Sequence, residues 1–192
     1  LGTVPAAFHA GVQDILLIAF ALAWAQYFRA GDAPLVVDVE GHGRHDDIAP
    51  GLDVSRTVGW FTTRYPVALT VGEPDWAQVV AGGAELGRLV KDVKEQLRRL
   101  PHPMTYGLLR YLDAQVELSA PDPAIGFNYL GRLGAAATGD GRSWSIVPRL
   151  ADSNSGLPMA LPHTAEVNAV TVETEAGPQL RANWMWAPTV LA

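Results

Sequence analysis

The chain has 192 residues, 48% of them hydrophobic and 18% charged, which is enough apolar material for a buried core and too little charge for a disordered chain. Its 20 acidic and 14 basic residues leave a net charge of −6, the wrong sign for a surface that neutralises nucleic-acid phosphates. With no cysteine, disulfides, thiolate metal ligands and a cysteine nucleophile are all excluded.

Val12 to Arg29 is apolar on nearly every side, which predicts a helix covered by neighbours, with Asp14 at the positive end of its dipole and Gly31 after its last turn. The most apolar stretch, Ile15 to Trp24, is about half of the roughly twenty residues that a membrane span needs, so no membrane segment is expected. Nothing from Leu1 to Pro5 resembles a signal sequence, and the numbering reads as starting inside a longer polypeptide. Leu35 to Val39 predicts a strand entering a tight loop opened by Gly41 and Gly43, with Glu40 at the strand's end.

A second strand is expected from Val58 to Val71, with a bulge, an edge position or a crossing at Tyr65-Pro66, because proline lacks the ladder donor. Asp75 then caps a long amphipathic helix. Val79, Leu86, Leu89, Val90, Val93, Leu97 and Leu100 recur at helical spacing, Lys91 and Glu95 lie four apart, and Pro101 stops it. A shorter helix is expected around Tyr106 to Leu112, and then a strand from Ala124 to Leu130 that Gly131 ends. Residues 131–163 are rich in small residues around one short strand at Trp144 to Val147. At the end, Val170 and Val172, a turn at Ala176-Gly177-Pro178, and Leu180, Ala182, Trp184 and Trp186 read as a hairpin. Strands and helices intermixed in this order favour an α/β sandwich layered over one sheet.

The densest polar stretch is Glu40-Gly41-His42-Gly43-Arg44-His45-Asp46-Asp47, in which two glycines free the backbone of a loop after a buried strand. A carboxylate there can be partly desolvated, which suits it to proton transfer near neutral pH. Arg44 would restrain that effect or hold an anionic group. The same residues also read as a glycine turn with solvated charges, or as metal ligands. His42, His45, Asp46 and Asp47 are metal-competent, but zinc sites draw ligands from a second element and no second histidine pair has matching spacing; no metal is expected. His9, His102 and His163 stand isolated, as surface or internally satisfied histidines. Val58 to Pro66 and Phe127 to Gly131 read by themselves as aromatic core strands.

Taken together, the three stretches resemble the epimerization branch of the nonribosomal peptide synthetase condensation superfamily. Glu40-Gly41-His42-Gly43-Arg44 looks like its EGHGR motif, Arg56-Thr57-Val58-Gly59-Trp60-Phe61-Thr62 like RTVGWFT, and Phe127-Asn128-Tyr129-Leu130-Gly131 like FNYLG. Val93 to Arg98 and Tyr106 to Leu112 resemble the helix and the YGLLRYL stretch that lead into FNYLG, and Val12 to Leu17 resembles the helix that begins the family's second lobe. The resemblance implies a chloramphenicol-acetyltransferase-like α/β fold of two lobes with the active channel between them. Residues 1–192 correspond to the C-terminal lobe, a mixed sheet layered with helices as a two-layer sandwich; the HHxxxDG motif of the N-terminal lobe is absent from this chain.

The implied activity is L-to-D inversion at the Cα of an aminoacyl or peptidyl thioester by acid/base proton transfer. The first lobe's histidine and the glutamate matching Glu40 stand on opposite faces of that carbon. Arg44, Asn128 and Tyr129 match positions that orient or stabilise the site, and His42, Trp60 and Tyr106 would line the substrate channel. The implied partners are the N-terminal lobe, a peptidyl carrier protein whose phosphopantetheine arm delivers the substrate, and neighbouring synthetase domains, in a cytoplasmic multidomain enzyme. No cofactor is expected to bind directly. A condensation lobe, forming peptide bonds, and a non-catalytic carrier-protein docking lobe are the alternatives. The sequence departs from the family twice: His45 stands where an acid is usual, and Pro101-His102-Pro103-Met104-Thr105 replaces a glycine-rich stretch. The isolated chain is expected to be inactive, and to self-associate through the face meant for the missing lobe.

Overall fold

Side chains that alternate between apolar and polar along the strands give the sheet two different faces. The computed structural model describes residues 2–133 and 161–188, apart from the side chains of His42 and Leu133. In it β1 (Leu35–His42), β2 (Thr62–Leu69), β3 (Ile125–Leu133), β4 (Ala165–Thr174) and β5 (Gly177–Trp186) form one sheet in the order β2-β1-β3-β4-β5. β1 is antiparallel to β2 and parallel to β3, β3 is parallel to β4, and β4 is antiparallel to β5. The sheet is mixed, as expected.

The helices are α1 (Thr3–Phe8), α2 (Val12–Phe28), α3 (Trp76–Val80), α4 (Ala84–Arg98) and α5 (Met104–Leu112). Leu17, Ile18 and Ala21 of α2 and Val90 and Val93 of α4 form one core with Val37, Val39, Val67, Leu69, Phe127 and Val167 of the sheet. Each buried Val, Leu, Ile or Phe there contributes about 1.5–3 kcal/mol. Gln96 fastens the layers at the end of β2: its amide accepts from the Thr70 N–H at 2.9 Å and donates to the Thr70 carbonyl at 2.8 Å. Strand residues between the buried ones project from the other face, which is open to solvent at Val36 and Arg64.

Several elements differ from the expected pattern for local reasons. α2 carries Asp14 in its first turn, as expected, where the carboxylate also accepts from the Gly11 N–H at 2.8 Å. Its end is closed by Arg29 in the left-handed region, φ 49°, rather than by Gly31, and it is not covered all round, because Tyr27 is 81% and Phe28 55% exposed. The second strand starts only at Thr62, since Val58 and Trp60 lie almost fully in solvent. It runs unbroken through Pro66 because β2 is an edge strand, where outward positions need no ladder donor.

The helix expected from Asp75 is two helices. The Asp75 carboxylate accepts from the Ala77 and Gln78 N–H groups, but the chain breaks at Gly82, φ 69°, before α4 begins. Periodicity survived the break because two glycines cost the helix its backbone, not its apolar stripe. Glu95 pairs with Lys94 and Arg98 rather than with Lys91.

β1 continues through Gly41 to His42. A Cβ on Gly41 would lie 2.8 Å from Thr63 Oγ1, so this glycine makes room across the strand pair instead of opening a loop. β3 likewise runs through Gly131, whose φ of 81° accompanies a register shift between Tyr129 and Arg132. The hairpin pairs Thr174 with Gly177, so its turn is Glu175-Ala176. The strand expected at Trp144 to Val147 lies outside the described residues. No helix among the described residues is long and apolar enough to cross a membrane.

Candidate acid/base site on the open sheet face

Strand register gathers the polar residues into two rows. Pro66 of β2, Asp38 of β1, Gly126 of β3 and Glu166 of β4 are successive cross-strand partners. Two residues further along, Arg64 pairs with Glu40 and Asn128 pairs with Asn168, so Arg64, Glu40, Asn128 and Asn168 form a second row on the same face. Glu40 is therefore inside the strand, not in the loop beyond it. It is half-buried, its main-chain carbonyl accepts from Gln13 Nε2 at 3.4 Å, and among the described residues no hydrogen-bond donor reaches its carboxylate.

The first row is the buried foundation of the second. At Gly126 the missing side chain leaves a space that the His163 ring fills: a Cβ there would lie 2.6 Å from His163 Nδ1. His163 Nε2 is 3.0 Å from Asp38 Oδ2 and Nδ1 is 3.1 Å from Glu166 Oε1, with Arg64 Nε 3.7 Å from the same Asp38 oxygen. Asp38 and His163 are 4% and 8% exposed, so each must have its partner. The depression lined by both rows offers about 20 Å³, room for about one water. It is a shallow polar floor on the open face, not a closed pocket.

The other expected site residues are spread around this floor. Asn128 lies in the row with Glu40, but Tyr129, the next residue along, points to the helix side. There its hydroxyl meets Thr171 Oγ1 at 2.8 Å and its ring packs against the core. Arg44 is a loop staple: its guanidinium donates to the Val54 and Thr57 carbonyls, each at 2.9 Å, and lies over the Phe61 ring. His42 ends β1 opposite Thr62. Trp60 is 89% exposed and lines a separate cleft with Phe61, His45 and Met104. The Tyr106 hydroxyl accepts from Arg110, which Asp122 holds at 2.7 Å.

Arg64, Asn168, Asp38 and Glu166 were not singled out from sequence, and His163 was read only as an isolated histidine, on the surface or internally satisfied; the second holds. The first four carried a signal. Asp38 interrupts the Leu35-Val36-Val37 run at the same parity as Glu40, Glu166 and Asn168 share one parity of β4, and Arg64 lies between two threonines and Tyr65-Pro66. His163 carried none, because it meets Asp38 across 125 positions of chain. A cavity of about 870 Å³ lies elsewhere, on the helix side, where Phe20, Trp24, Tyr27, Phe28 and Trp184 line an apolar groove.

A mixed sheet with helices on one face and a polar floor on the other is the chloramphenicol-acetyltransferase-like α/β fold of condensation domains. The chain belongs to the condensation-domain family, whose model matches residues 2–143, and it is a nonribosomal peptide synthetase domain of the condensation superfamily. It is 45% identical over 137 residues to chondramide synthase from Chondromyces crocatus and 36% identical over 168 residues to bacitracin synthase 3 from Bacillus licheniformis. These matches cover 70% and 85% of the chain but only 3% and 2% of the two synthases. The crystal structure of the epimerization domain from the third module of tyrocidine synthetase B superposes with a TM-score of 0.67 at 28% identity, covering 95% of this chain and 38% of that one.

Proposed function

We propose that the chain is the C-terminal lobe of an epimerization domain that inverts the Cα of an aminoacyl or peptidyl thioester from L to D. The observation that carries this reading is the position of Glu40: a half-buried carboxylate that no donor among the described residues reaches, in a row with Asn128 and Asn168 on the open face of the sheet. The tyrocidine epimerization domain, with its similar fold, supports it, as do the three motifs. A thioester carbonyl acidifies the adjacent Cα–H, so one base removes that proton and an acid on the opposite face returns one. Glu40 supplies one of these groups, and the histidine of the N-terminal lobe supplies the other. Asn128, Asn168 and Arg64 orient the thioester above the floor, while Asp38, His163 and Glu166 hold the floor in place. Arg44 and Tyr129 act through the loop and the core.

The partners in this reading are the N-terminal lobe, a peptidyl carrier protein presenting its phosphopantetheine arm, and the adjoining domains of a cytoplasmic synthetase. The 192-residue chain alone should not turn over, because both proton-transfer groups must reach one substrate. In the intact synthetase, Glu40→Gln should slow exchange of the Cα proton with solvent deuterium by about 10²–10⁴-fold. Undiminished exchange on a loaded carrier would remove Glu40 from the chemistry, and peptide-bond formation with chirality retained would make the domain a condensation lobe instead.

A further inference from the structure

We propose that His45, Asp47 and His102 form a binding site for a divalent transition metal of zinc-like preference, separate from the Glu40 row. His45 and Asp47 come from the segment after β1, and His102 comes from the turn between α4 and α5. One ligand atom of each lies within 4.8 Å of the other two. The second element that a zinc site needs, and that sequence spacing failed to show, is thus supplied by the turn before α5. Both histidines sit at the two places where this chain departs from the motifs it otherwise matches, and folding brings those places into ring contact, centroids 4.8 Å apart.

The spacing suits a metal. Zinc bonds of about 2.0–2.1 Å to nitrogen and 2.0–2.2 Å to oxygen put neighbouring tetrahedral ligands roughly 3.4 Å apart. His102 Nε2 and Asp47 Oδ2 are 3.4 Å apart, and His45 Nδ1 and Asp47 Oδ1 are 4.0 Å apart. The remaining adjustment falls on movable groups, since the Asp47 side chain is 71% and the His102 side chain 35% exposed.

A second observation concerns His45 itself. Its Nε2 is shut off from solvent and has no hydrogen-bond partner, alone in this among the described side-chain atoms. Buried polar atoms are nearly always partnered, and turning this ring so that Nε2 faces the ion would supply the missing partner. The competing cation is out of the way, because Arg44 is committed to the Val54 and Thr57 carbonyls. Asp46 accepts from the Val54 N–H at 3.4 Å, which leaves Asp47 as the carboxylate facing both imidazoles. A metal on His102 Nε2 keeps a proton on Nδ1, so the 3.3 Å contact that Nδ1 accepts from the Met104 N–H is given up; that exposed amide can turn to water. A bound ion would tie the segment following Glu40's strand to the start of α5.

The alternative for these groups is a plain His–Asp ion pair, and metal occupancy separates the two. Zn2+ is titrated calorimetrically into the chelator-treated chain, and Co2+ is followed by its visible absorption. One ion per chain with tetrahedral Co2+ bands is expected. His102→Ala and Asp47→Ala, both at exposed positions, should each weaken binding by about a hundredfold, at least the loss seen when a mere supporting group is removed; His9→Ala should change nothing. Absence of saturable binding, or unchanged affinity in His102→Ala, overturns the proposal. The readout is occupancy, not turnover, so its result is independent of whether the domain epimerizes its substrate.

Discussion

The two faces of the sheet come from the same strands, one residue apart, and they carry opposite duties. On the helix side Val37, Val39, Phe127 and Val167 belong to one apolar core, and their worth is area removed from water. On the open side buried Asp38 and Gly126, with half-buried Glu166, form a hydrogen-bonded foundation around buried His163, above which Glu40 and Asn128 are also half-buried. Stability thus resides in one parity of each strand and candidate chemistry in the other. The polar side is itself divided into a row that must be satisfied and a row whose carboxylate is kept available.

That division predicts graded effects. Asp38→Ala strips a buried partner from His163 and should cost about 3 kcal/mol or more in urea unfolding, although the residue lies on the face named as functional; a loss below about 1 kcal/mol would show that the first row is no foundation. Gly126→Ala drives a methyl into the His163 ring and should cost about 1–3 kcal/mol, most of it recovered when His163→Ala is added, since the two sites share one space. Glu40→Gln, in the second row, should leave stability within about 0.5 kcal/mol while removing activity from the intact synthetase.

The smallest effect belongs to the helix side. Burial pushes the Tyr65 phenol up from its usual value, with the nearby Asp14 charge adding to it. A raised folded-state pKa means that its contribution is fully present below the unfolded value near 10 and is lost as pH rises through the higher folded value. Tyr65→Phe should therefore flatten the alkaline limb of the stability curve above about pH 10 and leave neutral stability nearly unchanged; an identical alkaline limb in both proteins would contradict it. The exposed groove around Tyr27, Phe28 and Trp184 makes concentration-dependent gel filtration a useful control, because self-association would raise apparent stability with protein concentration.

Much of this architecture is written in local pattern. The period of Val79, Leu86, Leu89, Val90 and Val93 placed the apolar stripe of α3 and α4, because burying one face of a helix requires a repeat of 3.6 whatever the rest of the chain does, and the β-branched run from Leu35 to Val39, closed by Gly41 and Gly43, placed β1. The motifs around Glu40 and Asn128 were equally visible. Three things were decided only by the folded chain. Tyr129 went to the core because a strand turns successive side chains to opposite faces. Arg44 was taken up by carbonyls of a loop ten and thirteen residues away. His163 met Asp38 and His102 met Asp47, pairings that no local spacing announces, since side chains far apart in sequence meet only when register and layer packing have fixed where each strand and turn must lie.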